Sequence, residues 1–183
     1  MPGRPFRIVE PAELPVDLDM VKLHLRVDGT DDGALISSYM LAATSYLDGY
    51  DGYLGRGIVA QTWAIPLFVG ESSVEPIFPD ARNLQVQRNV AGAWTVVPGA
   101  TADLQSDGSV SLSGLPDDMD GVALTMETGW PNAQSVPYAI KLAIMMLVAQ
   151  WYAVREAASP ATMREPPYAV WSLLSPLRVQ VPT

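Results

Sequence analysis

Several groups of residues have the types and spacing that chemistry needs. Residues 28–33 read DGTDDG, so Asp28, Thr30 and Asp32 fall at positions 1, 3 and 5 of a calcium loop and Gly33 at position 6. Such a loop closes on its ion with a bidentate glutamate at position 12. That position is Tyr39, and position 7 is Ala34, already inside a helical pattern whose apolar stripe begins at Leu35. The stretch is therefore expected to be a joint. Asp28 would close the exit turn of one helix and Asp31 or Asp32 would N-cap the next, a contribution of about 1 kcal/mol. No metal site is expected.

The remaining candidates are weaker. His24 is the only histidine. A Ser-His-Asp arrangement needs a histidine beside an activated serine, and a catalytic zinc usually takes two or three. A lone histidine on a short helix is expected to be structural. Asp117, Asp118 and Asp120 crowd into LPDDMDG. A glycosidase pair must stand about 5–10 Å apart in a cleft with one carboxyl kept protonated by burial, and a Pro- and Gly-flanked turn is expected to be solvated instead. The glycines at 49, 52, 55 and 57 follow a helix rather than a strand and lack a Gly-Lys-Ser/Thr element, so they are no phosphate loop. Of the five tryptophans, Trp63, Trp94 and Trp151 fit buried faces. Trp171 does not, and in PYAVWSLLSPL it lines up with Tyr168, Leu174 and Leu177 at helical spacing. Two readings stand: the stripe packs back on its own domain, or it anchors in a groove on a partner.

The composition excludes several classes. The chain has 183 residues, enough for one domain with a sizeable insert, and no cysteine, which removes disulfides and thiolate chemistry. No stretch reaches the ~20 apolar residues of a membrane span, and the opening residues lack the apolar core of a secretory signal. A soluble protein made in a cytoplasm, with no membrane partner, is expected. The formal net charge is −9, which disfavours wrapping nucleic acid. From Gly57 to Ser135 nine acids face two arginines, whereas from Val136 to Thr183 four bases face two acids. Different partners are expected for the two regions.

Three segments carry helical periodicity. The first spans about 17–26, with Leu18, Val21, Leu23 and Leu25 as its apolar side and Asp17 as N-cap. The second spans about 31–54, with a stripe of Leu35, Ile36, Tyr39, Met40, Ala43, Tyr46, Leu47, Tyr50 and Leu54. The third spans about 137–158, opened by Pro137 in its first turn and stopped by Pro160. Between them the period changes to two. QTWAIPLF, NLQVQR, AWTVV, SVSLSGL and GVALTMET read as short strands, with NVAGA and SDGS as hairpin turns. In the last strand Val122, Leu124 and Met126 should face one way and Ala123, Thr125 and Glu127 the other. The fold class is α+β: a small bundle of about three helices with an inserted antiparallel β-unit and a C-terminal arm. The expected boundaries are 1–57 with 136–158 for the helical core, 58–135 for the insert and 159–183 for the arm.

The blocks VKLHLRVDGTDDGALISSYMLAATSYLDGY and GRGIVAQTW, then IKLAIMMLVAQWYAVREA and PYAVWSLLSPLRV, resemble the phage head–tail connector (adaptor) family, in the subgroup with a β-rich stretch between the helices. The resemblance implies a structural virion protein rather than an enzyme, without cofactor. It implies a homo-oligomeric ring, commonly a dodecamer, between the portal protein and the next neck component (a stopper or tail terminator). DNA would pass through the opening without specific binding. The expected location is the virion neck of a phage or gene-transfer particle, assembled in the bacterial host cytoplasm. Tyr168, Trp171, Leu174, Leu177 and Arg178 are then the expected portal contacts, and deletion of Pro160–Thr183 is expected to leave a folded protein. A glycan- or ligand-binding module using the β-insert is the competing reading. A carboxylate-dependent hydrolase is a third.

Overall fold

The structure, a computed structural model, describes residues 3–75, 78–154 and 168–179. The chain divides into two compact units, one formed by the residues up to Ala12 with Ala60–Gly129, the other by Glu13–Val59 with the described residues from Trp130 onward.

The second unit is helical. Helix α1 (Leu18–Leu25) is capped as the sequence predicts, with the Asp17 carboxylate accepting the Met20 N–H at 2.7 Å. It ends at Arg26 in the left-handed conformation (φ 58°), whose N–H bonds back to Leu23 O while Val27 N–H reaches Lys22 O. Val21 is the residue of α1 that is fully buried, whereas Leu23 is 81% exposed, so the expected apolar side is narrower than the pattern suggested.

Helix α2 (Gly33–Leu47) starts at the joint, but its cap differs from expectation. Asp32 occupies the N-cap position without a side-chain capping bond; its carboxylate instead accepts the Tyr152 hydroxyl from a distant helix. The aspartate ties two helices together rather than closing one. α2 also ends seven residues earlier than the stripe implied. Asp48 turns into extended backbone, and Tyr53 and Leu54 fold back to donate to Tyr46 O and Leu47 O. Leu54 is still fully buried, which is why its side chain extended the apparent stripe.

Helix α3 (Tyr138–Ala153) has Pro137 at its N-cap, one residue ahead of the expected first turn. Its predicted last residues and the Pro160 stop lie outside the described residues. Ile36, Met40, Ala43 and Leu47 of α2 share a fully buried core with Ile140, Ile144, Leu147 and Val148 of α3. Each large side chain there contributes about 1.5–3 kcal/mol by leaving water. A short helix α4 (Tyr168–Leu174), followed by a 3-10 turn at Ser175–Leu177, completes the unit.

Among its described residues the other unit holds eight strands: β1 (Phe6–Val9), β2 (Gln61–Pro66), β3 (Ser73–Val74), β4 (Arg82–Val90), β5 (Ala93–Val96), β6 (Thr101–Leu104), β7 (Val110–Ser113) and β8 (Val122–Thr128). They form an antiparallel five-stranded sheet in the order β1-β2-β8-β4-β5 and a three-stranded sheet in the order β3-β7-β6. The NVAGA turn is as predicted, with Ala91 and Gly92 both at positive φ (51° and 90°) between β4 and β5.

The central strand β8 departs from simple alternation. Val122, Leu124 and Met126 are buried, yet Ala123 and Thr125 on the other side are buried too, at 2% and 3% exposure. The sheet is curled, bringing the opposite edges β1 and β5 into ring contact through Phe6 and Trp94 at 6.1 Å. A strand inside such a curl has both faces covered. Thr125 is satisfied there by donating to Gln85 O at 3.1 Å. The end of β8 is clamped by Asp80, whose two carboxylate oxygens accept the Thr128 hydroxyl (2.9 Å) and the Gly129 N–H (2.8 Å).

Candidate interaction surface

The C-terminal segment carries the predicted partner residues, and its geometry sorts them. Val170 and Leu174 point into the helical core with no exposed surface. Trp171 lies one helical step round and packs on Tyr53, ring centroids 4.3 Å apart, with Tyr46 at 6.1 Å. Tyr53 is also covered by the Arg178 guanidinium, 4.8 Å from its ring centroid. Val179 N–H then donates to Leu54 O at 2.8 Å. Tyr53 and Leu54 thus seat the whole segment, and they reach that position because α2 stops at Leu47.

Leu174 is therefore a holding residue in this structure, buried among its own chain's side chains. Leu177 is partly buried against the same core. Tyr168 is 85% exposed and Arg178 is exposed, so both reach solvent. Deleting Pro160–Thr183 would remove Val170 and Leu174 from the core, so the truncated chain is expected to be less stable than the full-length one.

The turn that forms the seat is tightly specified. The buried Asp48 carboxylate accepts the Ile58 N–H at 2.7 Å, and Gly49 N–H donates to Arg56 O at 2.9 Å. A Cβ on Gly52 would stand 2.3 Å from Asp48 O, closer than any side chain can approach backbone. The glycines at 49 and 52, irrelevant to phosphate, are what let this turn close. Arg56 stacks over Trp130 at 4.4 Å, and Trp130 N–H donates to Ile58 O at 3.0 Å.

The other candidate chemistry is spread out. Among the described residues no three His, Cys, Asp or Glu side chains converge to hold a metal ion. Asp28 and Asp31 of the joint are exposed. His24 is exposed on α1. Asp117, Asp118 and Asp120 are exposed, as predicted for a solvated turn, with Asp118 beside Arg88 (3.4 Å) and accepting the Asp120 N–H (3.0 Å). Asp107, in the SDGS turn, is held below the usual carboxylate range first by the Ser109 hydroxyl (2.7 Å) and then by the Ser109 N–H (2.9 Å). These are bonds that make turns. No helix among the described residues is long and apolar enough to cross a membrane.

Comparison with known proteins identifies the family. The family model described as phage gp6-like head-tail connector protein matches residues 15–122. The chain belongs to that family. It is a structural connector, as the sequence blocks suggested. The match runs through α1, α2 and most of the β-unit of the connector, up to the start of β8.

Solved structures agree with the connector's fold over almost its full length. A chain in the neck of an empty gene transfer agent (GTA) particle, computed with C6 symmetry, is 18% identical with a TM-score of 0.66, covering 97% of each chain. A chain from the virion of a native GTA particle is 19% identical at 0.64, covering 97% of the connector and 96% of that chain. One in the neck of a native GTA particle computed with C12 symmetry is 20% identical at 0.63, covering 94% and 96%. At these identities the likeness establishes the fold. A search of curated proteins gives no match. The glycan-binding alternative finds no support in the family or in these neck structures.

Two features of the surface escaped sequence reasoning. The Tyr53 seat was hidden because the residues forming it looked like the end of a helix. β1 was missed because FRIV is only four residues long between proline-rich segments, and its pairing partner β2 lies more than 50 residues away.

Proposed function

We propose that the connector assembles as a homo-oligomeric ring in a particle neck, seated between the portal and the next neck component and leaving an opening through which DNA passes. The observation that carries this reading is the family match over residues 15–122, with full-length likeness to chains from particle necks of C6 and C12 symmetry as support. The work of such a protein is contact, not turnover. Its acidic character fits a conduit that repels DNA rather than grips it.

The portal-facing residues are Tyr168 and Arg178, with Trp171 and Leu177 at the rim, while Leu174 holds the segment they stand on. An exposed tyrosine at the start of a short helix and an exposed arginine just after its closing turn, braced by an aromatic seat, are residue types that dominate interface energy. The test is binding of the full-length chain to the portal of the same particle. Tyr168→Ala combined with Arg178→Ala is expected to weaken binding at least tenfold while leaving the fold intact. Unchanged affinity would overturn the assignment of this surface.

A further inference from the structure

The β-unit carries an apolar hollow of about 530 Å³ where the edge strands β1 and β5 meet. It is lined by Phe6 of β1, Trp94 of β5, Phe68 and Val69 after β2, and Met119 before β8. Phe6, Phe68 and Val69 are exposed, Val69 at 79%. A soluble chain seldom leaves large apolar side chains clustered in water unless something covers them. A second hollow adjoins the first, sharing Val69 and Met119, so the two run together as one groove.

The walls of the groove are held in shape by the chain itself. Gly70 (φ 85°) lets the Glu71 N–H turn back to Phe68 O at 3.2 Å, and the Glu71 carboxylate accepts the Phe68 N–H at 2.9 Å. Gly121 lies so close to β4 that a Cβ on it would stand 2.8 Å from Asn89 O, and the Asn89 N–H donates to Gly121 O at 2.9 Å. A groove shaped before binding loses little entropy when it is filled.

We infer that this groove receives an extended segment of another protein, basic and carrying a large apolar side chain. Charge selects the occupant. Glu71, Asp117 and Asp120 line the two hollows and no Lys or Arg does, while Arg88, next to Asn89 on β4, is engaged with Asp118 at 3.4 Å. An apolar floor under a rim of one sign matches an apolar anchor flanked by the opposite charge. Edge strands such as β1 and β5 are the borders along which extended segments lie. A second copy of this chain would bring a net −9 to that rim and is disfavoured. A small polar ligand such as a sugar needs convergent polar groups, whereas the Asn89 side-chain oxygen already accepts the Gly92 N–H at 2.9 Å. The portal-facing residues proposed above belong to the other unit, so the groove is a separate contact surface and stands whether or not that assignment does.

The probe is a short capped peptide alternating lysine with phenylalanine and leucine, titrated against the full-length connector by fluorescence anisotropy. Saturable binding is expected, and none to counterparts with glutamate in place of lysine or glycine in place of the apolar residues. Phe68→Ser with Val69→Ser should weaken binding about tenfold, and Asp117→Asn with Asp120→Asn about fivefold. All four side chains are exposed, so the fold should be kept, as a thermal melt will check. Asp28→Asn with Asp31→Asn, which removes two exposed acids of the helical unit, should leave the affinity unchanged. An equal loss in that variant would trace the attraction to overall charge and overturn the site. So would the absence of saturable binding at millimolar peptide, or unchanged affinity in both groove variants. A dimer in sedimentation that Val69→Ser abolishes would give the groove to a second copy and overturn the choice of partner.

Discussion

Replacing Leu174 by alanine removes most of a side chain that has no exposed surface and lies among the core residues of the helical unit. Loss of a buried leucine to alanine costs about 2–5 kcal/mol, the spread reflecting how far the site collapses. The neighbours of Leu174 are fixed by other contacts: Val170 on the same helix is buried, and Trp171 is stacked on Tyr53. Little collapse is available, so the expected cost is about 3 kcal/mol. For a unit of roughly 100 residues, where 1 kcal/mol shifts Tm by about 4–8 °C, the melting temperature should fall by more than about 10 °C. The cleanest assay pairs a thermal melt with hydrogen exchange at the Val179 amide, whose bond to Leu54 O depends on the segment staying seated. Leu177→Ala, at a partly buried site, should cost clearly less. A Leu174→Ala variant within about 0.5 kcal/mol of the wild type, with Val179 protection unchanged, would refute the claim that the C-terminal helix belongs to the core.

Gly52→Ala should destabilise the helical unit by about 1–3 kcal/mol, measured by chemical denaturation, because its Cβ would meet Asp48 O at 2.3 Å and the turn must open. Tyr152→Phe removes the hydroxyl held by Asp32 and should cost about 0.5–1.5 kcal/mol in the same assay, with no change of fold by circular dichroism. The Asp107 carboxyl, held down by Ser109, stabilises the β6–β7 turn at pH values above its unfolded pKa of about 3.9, and that contribution disappears as pH falls through the lower folded value. Ser109→Ala should raise the Asp107 pKa toward the ordinary value, read by NMR titration of the carboxyl carbon.

The helices were legible because their burial follows the 3-4 spacing written in Ile36, Met40, Ala43 and Leu47. The end of α2 was not, since periodicity records which side chains are buried and not the path between them. Leu54 is buried by a chain that folds back, and its position mimics two more turns of helix. In the β-unit, β2 and β8 carry enough apolar residues to be seen, while β3 and β6 are two and four residues long and mostly exposed, held by pairing rather than by pattern. The C-terminal residues were found as a stripe, yet which of them turn inward depended on Tyr53, a contact across more than 100 positions. Long-range seats of this kind have no local signature.

The ladder between β2 and β8 has a consequence for how the chain folds. Gln61 pairs with Thr128, so the two ends of a stretch of nearly 70 residues leave the ladder side by side. Docking α3 onto α1 and α2 with that stretch open would cost about 4 kcal/mol in loop-closure entropy. Once β2 and β8 have zipped, the helices are joined by a hairpin-like link a few residues wide, and Trp130 meets Ile58 at almost no further entropic cost. On this reckoning the β-unit acts as a splint for the helical core, and substitutions that slow β2–β8 pairing are expected to slow the core's assembly in a refolding experiment.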